Sequence, residues 1–112
     1  MADHFIDEDI FGRTISCSDE RWFGHVLVDH PEMSGFEEKV ISAIRTPLWI
    51  AEDKTSIFRE VFYNRFSGDL YYTRVVVEFL VAEFGEVKTA FLSTSGKSGE
   101  RIKWPPLNRL SN

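Results

Sequence analysis

Two histidines, His25 and His30, three arginines on alternating runs, Arg59, Arg65 and Arg74, and Lys97 are the side chains of this sequence best suited to phosphate chemistry. An imidazole exchanges protons near neutral pH, and a guanidinium offers a planar fork that grips two oxygens at once. Metal-free cleavage of RNA by its own 2′-hydroxyl needs these functions. One group takes the hydroxyl proton, cations hold the phosphate as its charge builds, and an acid protonates the leaving oxygen. Tyr63 and Tyr72 add faces on which an unpaired base can stack. By residue type alone the same set serves equally well as turn and surface side chains, so its meaning depends on what the fold brings together.

Other chemistries are poorly supplied. Cys17 is the single cysteine, so no intramolecular disulfide is possible, and no base neighbours it in the sequence. His25 and His30 are five positions apart, which is not the i, i+4 spacing that seats two imidazoles on one metal, so no metal and no cofactor is expected. Ser95-Gly96-Lys97-Ser98 lacks the upstream glycine of a phosphate loop. The net charge of −5 argues against a nucleic-acid partner at first sight, but it is unevenly placed. Asp3, Asp7, Glu8 and Asp9 crowd the start, and Lys97, Arg101, Lys103 and Arg109 outnumber Glu100 at the end. No apolar run is long enough to span a membrane and no secretory leader is evident, so a cytoplasmic protein is expected.

The elements that must position these residues are legible in the second half. Leu70–Val81 is rich in β-branched and aromatic residues, and Glu86–Ser93 follows after a break holding Gly85, which predicts an antiparallel hairpin. Tyr71, Thr73, Val75, Val77, Phe79 and Val81 form its expected core side. In the preceding run, Phe58, Phe62 and Phe66 share one side, leaving Arg59, Val61, Tyr63 and Arg65 on the other. Thr89 shares a side with Val87 and Phe91, which predicts a largely buried position. Ser18 is read as the cap of a helix over about Glu20–His30, ended by Pro31. Ser34 and Glu37 are read as a capping box for a second helix carrying Phe36, Val40, Ile41 and Ile44. Arg101–Trp104 is a candidate last strand. The expected architecture is one α+β domain over residues 19–104, N-terminal helices on one face of an antiparallel, roughly four-stranded meander. Residues 1–18 are expected to be an acidic segment, partly ordered at best, and 105–112 a tail.

Several short segments in fixed order carry a resemblance. They are Trp22-Phe23-Gly24-His25-Val26, His30-Pro31-Glu32-Met33, Ile44-Arg45-Thr46-Pro47, Phe62-Tyr63, Val75-Val76-Val77, Lys88-Thr89-Ala90-Phe91, and Lys97-Ser98-Gly99-Glu100 with Trp104. Together they resemble a phage-associated family of the barnase, EndoU, colicin and RelE-like nuclease superfamily. The resemblance implies metal-independent endoribonuclease activity on an open sheet face, in a toxin or mobile-element effector often controlled by a partner. It implies His25 as acid or base, His30 as a second histidine, Arg59 or Arg65 as the phosphate-binding strand residue, and Thr89 and Lys97 as substrate contacts. Arg74 and Tyr63 complete the expected RNA-contacting set. The competing expectation is a catalytically inactive interaction or regulatory protein of the same fold that binds a protein partner through its acidic start and exposed aromatics.

Overall fold

The β-branched run Thr73–Val77 is buried throughout and forms the middle of the sheet. The computed structural model describes residues 2–106. In chain order these build β1 (Asp3–Glu8), β2 (Thr14–Ser18), α1 (Asp19–Arg21), a π-helical turn (Trp22–Val26), α2 (Leu27–Asp29) and a 3-10 turn (Pro31–Met33). Then follow α3 (Glu37–Arg45), β3 (Trp49–Glu52), β4 (Arg59–Asn64), β5 (Tyr72–Val81), β6 (Phe84–Ser93) and β7 (Arg101–Trp104). All strands join one sheet of order β1-β2-β6-β5-β4-β3-β7. Only the β2–β6 pairing is parallel.

The α+β class therefore holds, with a larger sheet than the four-stranded meander expected. β3 to β6 are that meander. β7 adds an edge beside β3, and β1 and β2 extend the other side. The acidic start is built into the sheet as β1 and β2, and two of its four acids, Asp7 and Asp9, are paired within the fold. Asp9 Oδ1 accepts from the backbone N–H groups of Phe11 and Arg13, closing the β1–β2 turn, and Asp9 Oδ2 accepts from Arg13 Nε at 2.7 Å. The rest of the Arg13 fork grips Glu60 on β4. Asp7 takes both oxygens to Arg45 at the end of α3. Residues 107–112, including Arg109 and most of the expected tail, lie outside the described residues.

The helices follow local chemistry with one exception. Ser18 Oγ accepts from Arg21 N as the expected cap. The second cap is different: Phe36 is the N-cap of α3 without a side-chain bond, and Ser34 instead closes the 3-10 turn. Glu37 is withdrawn from any capping box because its carboxylate accepts from His4 Nε2 at 2.8 Å. Val40, Ala43 and Ile44 of α3 are buried with Trp22, Val26, Met33, Phe62, Val75 and Val77, so all helical segments lie on one side of the sheet. Tyr71, which precedes β5, and Val81, its last residue, were expected in that core and are exposed.

Two predictions follow from this packing. A Cβ at Gly85 would stand 2.6 Å from Val77 Cγ1, 2.7 Å from Phe79 Cε1 and 2.9 Å from Ile15 Cδ1. Gly85→Ala is expected to lose about 1–3 kcal/mol in chemical denaturation, the usual cost of overpacking. Burial pushes the Glu60 carboxyl up, but its bonds from Arg13 and Lys103 outweigh that and hold it below the ordinary range. A depressed folded value stabilises above the ordinary glutamate pKa of about 4.3 and is lost as pH falls through it. Thermal stability should accordingly drop on acidification below about pH 5, and Arg13→Ala should flatten that acid limb.

Candidate functional site

With the helices on one side, alternation puts a second set of side chains on the other. The cross-strand partners there are Trp49 with Tyr63, Tyr63 with Arg74, and Arg74 with Phe91. One row further along, Ala51 meets Val61, Val61 meets Val76, and Val76 meets Thr89. Thr89 reaches this side because of a bulge. Val76 pairs with Thr89 but Val77 pairs with Val87, so Lys88 is an extra residue that reverses the side-chain phase. The expectation that Thr89 and Val87 share a face is thereby corrected: Val87 is buried under the helices, while Thr89 is half-buried on the open side.

On this side lies a hollow of about 300 Å³ lined by Asp53, Lys54, Thr55, Arg59, Arg74, Val76, Thr89, Phe91, Lys97 and Glu100. Its floor is a closed ring of hydrogen bonds. Arg74 Nε donates to Tyr63 Oη at 2.9 Å, Tyr63 donates to Glu100 Oε1 at 2.5 Å, and Arg74 Nη2 donates to Glu100 Oε2 at 2.5 Å. The Arg74 and Glu100 side chains are only 6% and 4% exposed. Burial pulls the Arg74 guanidinium down, yet Glu100 and Tyr63 outweigh it and leave the proton held more tightly than usual. Burial also pushes the Tyr63 phenol up, and the adjacent Glu100 adds to this.

The sequence-predicted residues divide clearly. Arg59, Arg74, Thr89 and Lys97 line the one hollow. His30 is not a lining residue and reaches the hollow through Phe91: its ring stacks on Phe91 with centroids 4.7 Å apart, and the same Phe91 ring lies 5.1 Å from Arg74 Cζ and 5.2 Å from Lys97 Nζ. His30 remains part-exposed, with Glu32 at 3.7 Å from Nδ1. His25 does not converge with them. It is exposed on the π-helical turn and lines no part of the hollow. Tyr63 is fully buried with its ring stacked on Trp49, so it supports the floor and offers no face to a base. Arg65 lies over Tyr72, away from the lining set, and Arg59 is the strand arginine that reaches the hollow, partly engaged by Glu78 at 3.1 Å. Lys54, Phe91 and Glu100 were missed as site residues. The signal for Glu100 was weak, since a carboxylate in a polar, glycine-bearing loop reads as solvated.

Among the described residues no cluster of His, Cys, Asp and Glu is placed to hold a metal ion, and no helix is long and apolar enough to cross a membrane. What the hollow offers chemically is an oxyanion seat. Its lining carries Lys54, Arg59, Arg74 and Lys97 against Asp53 and Glu100, so the local balance is positive on a chain of net negative charge.

The buried ring yields a stability prediction. Arg74→Ala strands the Glu100 carboxylate without its charged partner and should cost about 3–5 kcal/mol, the usual penalty for breaking a buried pair. Arg65→Ala, on an exposed guanidinium, should stay within about 0.5 kcal/mol in the same urea titration. No family model matches the chain, and no curated protein or solved structure matches it.

Proposed function

We propose that this chain is a metal-independent endoribonuclease-like domain, of the barnase, EndoU, colicin and RelE-like kind that its sequence resembles, acting as a toxin or mobile-element effector. The observation that carries the reading is the convergence on Phe91. One aromatic ring joins His30, Arg74 and Lys97 at the edge of a hollow that also holds Arg59 and Thr89. An imidazole and fixed cations gathered on one ring supply two of the three functions that 2′-hydroxyl attack requires, a proton acceptor and charge to hold the phosphate.

In this reading the 2′-hydroxyl gives its proton to His30 as its oxygen attacks the adjacent phosphorus, the bond to the 5′-oxygen breaks, and that oxygen takes a proton from water, leaving a 2′,3′-cyclic phosphate and a 5′-hydroxyl. His30 replaces His25 as the proton-transfer residue, because His30 stacks on Phe91, a lining residue of the hollow, and His25 does not. Lys97 and Arg59 meet the non-bridging oxygens as negative charge accumulates, and the Thr89 hydroxyl orients the phosphate. Arg74 lies beneath them, a permanently charged guanidinium whose fork is held by Glu100 and Tyr63. The local surplus of cations draws the RNA to this side despite the net charge of the chain.

A second reading, a catalytically silent module that binds a protein, is favoured by one feature. Leu80, Val81 and Phe84 are 68%, 63% and 61% exposed at the end of the β5–β6 hairpin, beside a separate hollow of about 330 Å³. A cluster of large apolar side chains of this kind marks contact surfaces on monomeric proteins. The same surface suits an inhibitor or regulatory partner of an active enzyme.

Cleavage of end-labelled single-stranded RNA in EDTA separates the readings. The nuclease reading predicts products ending in cyclic phosphate, a loss on the order of 10²–10⁴ in rate for His30→Ala, and an unchanged rate for His25→Ala. An unaffected His30→Ala enzyme would remove the assignment, and a wild-type chain that cuts no RNA would leave the binding reading.

A further inference from the structure

The floor of the hollow is occupied by an anion that belongs to the chain. Two donors, Tyr63 Oη and Arg74 Nη2, point at the two oxygens of Glu100. This is also the arrangement in which neighbouring non-bridging oxygens of a phosphate are held. Glu100 does not come from the sheet that carries the donors. It comes from the loop of bends and turns between β6 and β7.

That loop is attached at few points. Lys54 Nζ donates to Ser98 O at 3.0 Å, Glu100 N donates to Lys97 O at 3.2 Å, and Gly96 lies against the Trp49 ring. Gly99, next to Glu100, has φ of +87°, a conformation that other residues rarely adopt, so a glycine sets the path that delivers the carboxylate. Lys54, whose ammonium tethers the loop, and Arg74, which holds Glu100, are themselves lining residues of the hollow. An oxyanion entering there competes for both.

Charge accounting points the same way. The lining holds four cations, Lys54, Arg59, Arg74 and Lys97, against two carboxylates, Asp53 and Glu100; Glu100 sits with Arg74, while Lys54 and Lys97, among the described residues, make no ion pair. We propose that Glu100 is an internal occupant of an oxyanion seat, and that a phosphate group binds by displacing it from Arg74 and Tyr63, releasing loop 94–100. This rests on the phosphate-binding reading of the hollow and assigns its regulation. The ligand class is a phosphate oxyanion, supplied either by an RNA backbone or by free phosphate.

Glu100→Gln tests this, since it keeps the side-chain shape while removing the competing charge. Calorimetric titration with inorganic phosphate at fixed ionic strength should show Glu100→Gln binding at least about tenfold tighter than wild type, a difference of about 1.4 kcal/mol. A folded variant with equal or weaker affinity would overturn the proposal. Should the variant fail to fold, the wild-type chain decides: saturating phosphate should speed amide hydrogen exchange across residues 94–100, and unchanged or slowed exchange there would overturn it. A parallel titration with a short single-stranded RNA separates the two sources of phosphate. Tighter phosphate binding by the variant without any RNA cleavage by wild type would sink the nuclease reading and keep this one. Cleavage by wild type with no gain for the variant would do the reverse.

Discussion

Alternation along β4 and β5 is the constraint on which everything else depends. Burying Phe62, Val75 and Val77 beneath α3 and the earlier helical turns forces Arg59, Tyr63 and Arg74 to the opposite side, because successive strand residues cannot share a face. The apolar burial that stabilises the domain is thus also what presents the guanidiniums. Slipping β4 by one residue against β5 would turn Arg59 and the Tyr63 hydroxyl toward the helices and take Phe62 out of the core, so the register is strongly held.

Charge is distributed by the same economy. Acids that look like a solvated tail are matched internally, Asp7 to Arg45 and Asp9 with Glu60 to Arg13, and so bind β1, α3 and β4 to one another. These pairs are near-neutral and lie away from the hollow, whose lining of four cations and two acids differs in sign from the chain as a whole. Net charge therefore says little about what the open side can bind. Its sign there is set by Lys54, Arg59, Arg74 and Lys97.

The strongly periodic parts of the chain were legible and the parts governed by pairing geometry were not. The phase of β4 could be read directly, with Phe62 buried on one side and Arg59 on the other, but Phe58 and Phe66, expected beside Phe62, flank the strand and are exposed; the β5–β6 hairpin and the Ser18 cap were also legible. The bulge at Lys88 could not, since it depends on how β6 meets β5, and it reverses the reading of Thr89. The order of β1 and β2 was hidden because ion pairs reaching 38 and 47 positions along the chain satisfy residues that look solvated locally. For the site, the preference between His25 and His30 turned on the π-helical turn, which leaves His25 outside while Pro31 ends the helix and lets His30 fold back onto Phe91.

The account stands on the claim that the open side of the sheet holds RNA phosphate beside His30. Nuclear magnetic resonance titration of the wild-type chain with a short single-stranded RNA measures this directly, residue by residue. The account predicts shifts concentrated at Arg59, Thr89, Phe91 and Lys97 together with the His30 imidazole, and none at His25. Shifts confined to the helical side or to the Leu80–Phe84 hairpin end, or no shifts at all, would contradict it.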